Sequence, residues 1–454
     1  MKTKITACIL MAVLFLTCIL PVSAEPLPRP DTSSAVSVLL YNLDCDTVVY
    51  RQDSEKKVFP ASTVKIMVAL LAIEHFAAEP AGFDTVLTVP HEVIRNSKGL
   101  NMELRRGENI AVRDLIAGMV IAGANDAAYT LALAIDGSID AFLDRMNQKA
   151  KALGMQNTVY YNVSGLDEKP CTTADDLLIL SKVAYANRYY MELAATTRYK
   201  IAATNEHSAR TLYTRNYLLS RQTYADYYYE PATGMNAGAT ESAGYCIVAS
   251  ARINNQNYLC IVMGAADYDS FRFAKSLFEW VSKTHGYRSV LSERNILAEL
   301  PVALGGAADY VTVIAKNEVV CFMPTDTDLS TTLAIETEMY FDRLTAPVKA
   351  GLIVGCAKVY LEGAEIARVD LITSSSLSRD HSAHLARRIR NFLQSTGFLL
   401  TLVGIFVLGT AYVLVVARIR YLRMVKQIME VPDEVDVPTS SGPKLPSRSD
   451  KERH

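Results

Sequence analysis

The stretch Pro60-Ala61-Ser62-Thr63-Val64-Lys65-Ile66-Met67 (PASTVKIM) places a serine three residues before a lysine, where a long apolar segment begins. The segment continues as VALLAIE, and this composition predicts a buried helix. A lysine in such a helix loses its water, which is costly unless the amine has a partner or a chemical task. Because residues i and i+3 share a helix face, the Lys65 amine can reach the Ser62 hydroxyl.

This serine–lysine pair suits nucleophilic catalysis. Burial lowers the pKa of a lysine, and a neutral lysine can accept the proton of a serine. Free N–H groups at the helix start, including that of Ser62, can stabilise an oxyanion. The pattern is weak by itself, since polar tetrapeptides at 54–57 and 441–444 also fit it. The alternative is a structural lysine whose aliphatic chain carries the amine to solvent.

Length and charge narrow the class of protein. A chain of 454 residues predicts two domains. With 46 Lys and Arg against 48 Asp and Glu there is no basic surplus, so we expect no nucleic-acid partner. The HEVIR segment at 91–95 lacks the second histidine of a zinc helix, and we expect neither a metal nor a cofactor.

Both ends of the chain carry targeting features. Residues 1–24 have the basic start, apolar centre and small-residue cleavage site of a signal peptide, with an uncleaved anchor as the alternative. Residues 377–397 form an amphipathic, arginine-rich juxtamembrane segment. The twenty uncharged residues 398–417 predict one transmembrane helix, followed by a disordered cytoplasmic tail at 418–454. We therefore expect an exported, membrane-anchored protein.

The remaining sequence divides into a mixed α/β domain (α+β) at 25–288 and a smaller β-rich domain at 289–376. Apolar residues alternate on both sides of Asp44-Cys45-Asp46, which predicts a β-hairpin. Residues 110–192 have mainly helical periodicity. YCIVASARI and QNYLCIVMGAA predict paired strands, and SFRFAKSLFEWVSKTH predicts a closing helix.

Four blocks in order give the Ser62 motif a context. PASTVKIMVALLAIE is followed by LNMELRRGENIAVRDLIAGMVIAGANDAAYTLA, YYNVSGLDEKPCTTADDLLILSKVAY and GMNAGATESAGYCIVASA. Together they resemble the D-alanyl-D-alanine carboxypeptidases, the low-molecular-mass penicillin-binding proteins of the serine peptidase kind, over residues 34–376. The resemblance implies a transpeptidase domain of the penicillin-binding-protein and β-lactamase kind. It also implies that Ser62 is the acylated nucleophile and Lys65 its general base.

The second and third motifs of the family are altered here. The family's Ser-x-Asn aligns with Gly123-Ala124-Asn125, which keeps the amide but lacks the hydroxyl that relays a proton. Its Lys-Thr-Gly aligns with Asn236-Ala237-Gly238, which lacks the side chains that bind the terminal carboxylate. The resemblance implies that Asn125, Asn236 and Gly238 line the substrate site. The backbone N–H groups of Ser62 and Ala239 would form the oxyanion hole.

These changes predict low activity on an intact fold. A hydrogen bond to a charged group contributes about 1.5–3 kcal/mol, so losing the lysine costs about 10- to 100-fold in kcat/KM. Losing the relay hydroxyl adds about 100- to 10,000-fold. We expect poor discrimination between a free and an amidated C-terminus, unless another cation such as Arg272 binds the carboxylate.

The resemblance implies removal of the terminal D-alanine from peptidoglycan stem peptides through an acyl-Ser62 intermediate, with β-lactams as possible ligands. Two alternatives stay open. The altered motifs favour a non-catalytic wall-binding or regulatory module. A β-lactamase-like hydrolase would need a carboxylate for deacylation, for which Glu168 is the nearest candidate.

Overall fold

The alternating apolar residues on both sides of Asp44-Cys45-Asp46 form the predicted β-hairpin. A computed structural model describes residues 27–166, 169, 171–222 and 225–429. Residues 1–24, which were predicted to be a signal peptide, lie outside this part, as do Glu168 and residues 430–454. Strand β1 (Ser37–Asn42) pairs antiparallel with β2 (Thr47–Gln52). Every residue of β1 is buried, because β1 lies inside the main sheet.

The main sheet has five strands. It comprises β1, β2, β7 (Ala232–Thr240), β8 (Gly244–Ile253) and β9 (Gln256–Ala265), in the order β2-β1-β9-β8-β7. The predicted pairing of β8 with β9 is confirmed. Strand β7 is an edge strand, so one side of its backbone is not used by the sheet.

Helices form the other part of this unit, as the periodicity predicted. They are α1 (Val64–Ala77), α2 (His91–Asn96), α3 (Val112–Ala122), α4 (Asn125–Asp136), α5 (Ile139–Leu153), α6 (Ala174–Ala186) and α7 (Arg188–Ala194). Helix α1 is buried on nearly all sides and lies within the larger hydrophobic core. Helix α8 (Asp269–Thr284) is the predicted closing helix and covers β8 and β9.

Short elements complete the first compact unit. They are the antiparallel strand pairs β3 (Val86–Thr88) with β4 (Asn109–Ala111) and β5 (Arg198–Ile201) with β6 (Arg210–Tyr213), the pair β10 (His285–Leu291) with β13 (Val319–Pro324), and α9 (Leu329–Thr332). The unit comprises residues up to Val290 together with Val320–Leu333. The sequence analysis placed one domain boundary near residue 289. A single boundary does not account for Val320–Leu333, where the chain returns to the first unit.

The second compact unit is β-rich, as the sequence predicted. Its sheet comprises β11 (Ile296–Ala303), β12 (Tyr310–Ala315), β14 (Leu333–Met339), β15 (Leu344–Thr345), β16 (Ile353–Leu361) and β17 (Ala364–Thr373). The strand order is β14-β16-β17-β12-β11-β15. Alternate side chains of these strands form a separate apolar core.

Two helices follow this sheet. Helix α10 (His381–Leu393) exposes the apolar residues Leu385, Ile389, Phe392 and Leu393. Helix α11 (Thr396–Met429) contains a span, Thr396–Lys426, that is long and apolar enough to cross a bilayer, with mean hydropathy 2.5. The tail was predicted to be disordered from residue 418. That prediction is wrong for the first twelve residues, because α11 continues through Met429.

Candidate active site

Ser62 lies on a short 3-10 turn (Ala61–Thr63) that leads directly into α1. The residue is 7% exposed, and its hydroxyl accepts a hydrogen bond from Lys65 Nζ. The preceding residue, Ala61, has φ +47°, a left-handed conformation that costs an L-residue roughly 1–2 kcal/mol. Such strain persists where the surrounding structure fixes the backbone, as it does beside a functional side chain.

Lys65 is held against Ser62 in a site that excludes water. Its Nζ atom lies 3.1 Å from Ser62 Oγ and donates a hydrogen bond to the Ser164 carbonyl at 2.7 Å. The side chain is only 1% exposed, so the alternative of an amine that reaches solvent is wrong. No ion pair among the described residues involves Lys65.

Burial without a counter-charge lowers the pKa of Lys65 to about 7. We therefore expect the rate of Ser62 acylation to rise with pH through about 7, as the amine loses its proton. The unfolded chain binds more protons than the folded chain between about pH 7 and 10.5, so this lysine's contribution to stability increases with pH in that window. Acylation rates of the wild type between pH 5 and 9 measure the effect. A flat profile would mean that Lys65 is not the base.

The loop that carries Ser164 is built by a local side-chain turn. Asn162 Oδ1 accepts hydrogen bonds from the backbone N–H of Ser164 at 3.0 Å and of Gly165 at 2.6 Å. Gly165 has φ +86°, and a Cβ there would lie 1.8 Å from the Ala61 carbonyl oxygen. Only glycine therefore lets this loop approach the Ser62 turn and aim the Ser164 carbonyl at Lys65.

Asn125 begins α4 and is 3% exposed. Its Nδ2 donates to the Lys98 carbonyl at 2.5 Å, and its backbone N–H donates to the Leu100 carbonyl at 2.7 Å. Its Oδ1 is buried without a partner among the described residues. The Asn125 amide thus holds the 98–100 loop. Its Nδ2 group donates to Lys98 rather than contacting Lys65, and its Oδ1 atom remains available as an acceptor.

Asp126 fixes the backbone that directly follows this loop, at residues 102–104. Its carboxylate accepts the backbone N–H of Met102 at 3.0 Å and of Leu104 at 3.0 Å. Burial raises the pKa of this carboxyl, and the backbone donors oppose that rise. The aspartate therefore has a positioning role next to Asn125, which the sequence did not reveal.

Strand β7 brings the third motif to the nucleophile. A Cβ at Gly238 would lie 2.6 Å from Ser62 Oγ and 3.1 Å from the Ser62 backbone nitrogen. Glycine is therefore required for this close approach. Asn236 is 3% exposed, and its Oδ1 has no partner among the described residues. Ala237 is 7% exposed and Ala239 is exposed at the cavity described below.

Gly123 follows α3 with φ +72° and caps that helix. A Cβ there would meet Leu100 Cδ1 at 3.6 Å, an ordinary van der Waals distance. A serine has room at this position and would carry only the backbone strain of a left-handed residue.

A cavity of about 190 Å³ lies beside β7. It is lined by Leu100, Arg215, Tyr217, Ala237, Gly238, Ala239, Tyr245, Tyr268 and Phe271. Among the described residues that line it, Arg215 alone is charged, whereas Arg272 is paired with Asp269 and lies outside this lining. Arg272 is thus a surface residue rather than the replacement cation considered from the sequence. No sequence signal singled out Arg215, because only the fold brings it to β7.

Comparisons with known proteins agree with this architecture. Residues 24–267 match the family model for D-alanyl-D-alanine carboxypeptidase, and residues 288–379 match that for the C-terminal domain of penicillin-binding protein 5. The chain belongs to the D-alanyl-D-alanine carboxypeptidase family. The predicted family membership and fold class are thereby confirmed.

Individual relatives show how far the similarity extends. The chain is 31% identical over 234 residues to the D-alanyl-D-alanine carboxypeptidase DacF of Bacillus subtilis, covering 51% of this chain and 58% of that relative. It is 28% identical over 391 residues to DacC of Escherichia coli, covering 81% of this chain and 90% of that one. The crystal structure of DacD from Francisella tularensis has a TM-score of 0.58 at 21% identity, covers 80% of this chain and 97% of its own, and shows the same fold.

Proposed function

We propose that this protein is a serine-type D-alanyl-D-alanine carboxypeptidase with reduced activity, acting on peptidoglycan stem peptides. The observation that carries the proposal is the buried Lys65 amine, 3.1 Å from Ser62 Oγ, with a pKa lowered to about 7. A neutral amine in a dry site is suited to take a proton from a hydroxyl. The family membership supplies the substrate class.

In the proposed reaction, Ser62 Oγ attacks the carbonyl carbon of the terminal D-Ala-D-Ala peptide bond as Lys65 takes its proton. The backbone N–H groups of Ser62 and Ala239 stabilise the negative oxygen of the tetrahedral intermediate. The C–N bond then breaks, D-alanine leaves with a proton on its amine, and an acyl-Ser62 ester remains. Water hydrolyses the ester and restores the Ser62 hydroxyl.

We also propose which residues of this site contact the substrate. The unpartnered acceptors, Asn125 Oδ1 and Asn236 Oδ1, would accept N–H donors from the peptide backbone of the substrate. Gly238 leaves the acyl carbonyl free to approach Ser62. Gly123 supplies no hydroxyl, so water has to carry the proton to the leaving amine, and Ala237 supplies no hydroxyl to bind the terminal carboxylate. The absence of these two hydroxyl groups is the reason for the reduced activity that we propose.

The altered positions also favour a second candidate, a non-catalytic module that binds peptidoglycan. Reaction with a penicillin separates the two, since only a competent nucleophile opens the β-lactam ring. We expect the full chain, purified in detergent, to gain the mass of one penicillin on the peptide that contains Ser62. Absence of this adduct, with intact peptide binding, would favour the binding module.

The location of the protein follows from its two termini. We propose that the signal peptide exports the chain, that α11 anchors it in the cell membrane, and that the domain containing Ser62 lies outside the cytoplasm. The apolar span Thr396–Lys426 and the exposed apolar stripe of α10 support this arrangement.

Truncation tests the anchor. We expect a chain that ends after Arg379 to be released into the extracellular or periplasmic fluid, because it lacks both α10 and α11. Fractionation of cells expressing the truncated and full-length chains measures this. If the truncated chain fractionates entirely with membranes, an uncleaved signal peptide or another anchor retains it.

A further inference from the structure

Among the described residues, the sheet of the second unit exposes seven large apolar side chains, which are divided unequally between its two ends. Ile296 and Ile366 lie at the end where β11 and β17 begin. The other five lie at the opposite end, where the chain leaves the sheet, and we name them the exit patch. They are Tyr310, Tyr340, Phe341, Leu352 and Ile353, each between 40% and 56% exposed.

Strand register places four residues of the exit patch. Ile353 pairs with Ile372, one residue before β17 ends. The backbone N–H of Tyr340 donates to the Val354 carbonyl at 2.8 Å, so the end of β14 lies beside the start of β16. The other two of these four residues are the chain neighbours of Ile353 and Tyr340, and they lie at the same end.

Tyr310 reaches this end through a different strand. It begins β12, and Val313 of that strand pairs with Thr373, the last residue of β17. Because β12 and β17 are antiparallel, Tyr310 lies beyond Thr373, in the direction in which the chain leaves the sheet. The exit patch therefore holds three aromatic rings, whereas both exposed residues at the other end are isoleucines.

The path from this end of the sheet to α11 is short. The Asp380 N–H donates to the Leu304 carbonyl and Arg379 Nε donates to the Ala346 carbonyl, both at 2.9 Å, so the residues just before α10 are bound to the sheet. Helix α10 has 13 residues, which span about 20 Å, and residues 394–395 connect it to α11. The exit patch thus lies about one short helix away from the proposed bilayer span.

The composition of the exit patch suits the boundary between lipid and water. Clustered exposed apolar groups mark interaction surfaces, and aromatic rings are enriched where a protein meets the headgroups of a membrane. The exposed charges at this end are balanced, since Arg343 and Lys349 are accompanied by Asp309 and Asp342. Apolar contact, rather than attraction to anionic lipids, should therefore hold this end against a membrane.

We propose that the exit patch rests in the headgroup region of the bilayer that α11 crosses, so that the second unit is seated on the membrane surface instead of swinging freely on α10. The inference rests on the proposed anchoring by α11 and is independent of the chemistry at Ser62. A single acyl chain gives only marginal membrane binding, and five partly exposed side chains are likewise insufficient as an anchor. The patch orients an anchored unit, so a chain that ends after Arg379 is still released.

Quenching by brominated lipid tests this contact in the full chain. The wild type has one tryptophan, Trp280, which lies in the first unit and supplies the baseline. Phe341→Trp adds a second indole in the exit patch, and Ile296→Trp is the matched control at the other end of the sheet. In phosphatidylcholine vesicles, we expect acyl-chain bromination to remove most of the fluorescence added by Phe341→Trp and to leave that added by Ile296→Trp unchanged.

A third tryptophan position tests whether the five side chains act as one surface. Tyr310→Trp should also be quenched by brominated phosphatidylcholine. Adding Phe341→Ser and Leu352→Ser to this variant should lower the quenching, whereas adding Ile296→Ser and Ile366→Ser should not. All of these positions are exposed, so we expect thermal melts of the variants to match that of the wild type.

Three results would overturn the proposal. The first is equal quenching of the Phe341→Trp and Ile296→Trp variants, or no quenching of either beyond the wild-type baseline. The second is quenching that disappears as more chains are loaded into each vesicle, which would show that a second copy of the chain covers the patch. The third is failure of the full chain to enter vesicles, which would also remove the proposed anchor. The penicillin adduct at Ser62 is measured separately, so failure of the proposed chemistry gives a different result.

Discussion

Replacing Ser62 by alanine is expected to abolish the penicillin adduct and any D-alanine release while leaving the folded state intact. The side chain is small, and Lys65 keeps its hydrogen bond to the Ser164 carbonyl when the hydroxyl is removed. Only one hydrogen bond is lost, so the free energy of unfolding should fall by about 1 kcal/mol. Mass spectrometry after reaction with penicillin and thermal melts of the full chain measure the two effects.

Ser181→Ala is the matched control for this variant. Ser181 is likewise a buried serine, but it lies in α6 and its hydroxyl donates to the Leu177 carbonyl within that helix. We expect Ser181→Ala to react with penicillin as the wild type does. A collapse of the folded state in Ser62→Ala alone would show that Ser62 is a structural residue. A persistent adduct would place the nucleophile elsewhere.

The second large effect is expected on restoring the altered motifs. Gly123→Ser, Asn236→Lys and Ala237→Thr together should raise D-alanine release by about 100-fold or more. A restored relay contributes about 100- to 10,000-fold, and a lysine in place of Asn236 adds a charged contact to the substrate carboxylate. The three residues act on one substrate, so single changes need not add up.

The triple variant is expected to be less stable than the wild type. Serine at Gly123 has space but adopts a left-handed backbone at roughly 1–2 kcal/mol, and a lysine at Asn236 enters a buried position. Thermal melts therefore accompany the measurement of D-alanine release, and Ser62→Ala added to the triple variant supplies the inactive control. No gain in a well-folded triple variant would show that the site has changed beyond these positions, which favours the binding module.

Much of the fold could be predicted because its signals are local. Alternation predicted the β1–β2 hairpin, helical spacing predicted the α3–α7 region, and an uncharged run of twenty residues predicted α11. The end of α11 was missed because a charged helix that continues beyond a bilayer span resembles a polar tail in composition. The return of Val320–Leu333 to the first unit depends on pairing between distant strands, which local periodicity does not encode.

For the candidate site, the sequence by itself determined the Ser62–Lys65 pair, since i, i+3 spacing on a helix fixes that contact. It also located Gly123, Asn125 and the 236–238 positions, through blocks whose order is characteristic of a family.

Only the tertiary structure decided what surrounds this pair. The carbonyl of Ser164 reaches Lys65 across 99 residues of chain, and burial by the whole helical core lowers the lysine's pKa. Arg215 comes to the cavity from a segment before β7, whereas Arg272 is paired with Asp269 outside it. The desolvation of an ionisable group and the orientation of a charged side chain depend on every element packed around them. No short motif can therefore specify either.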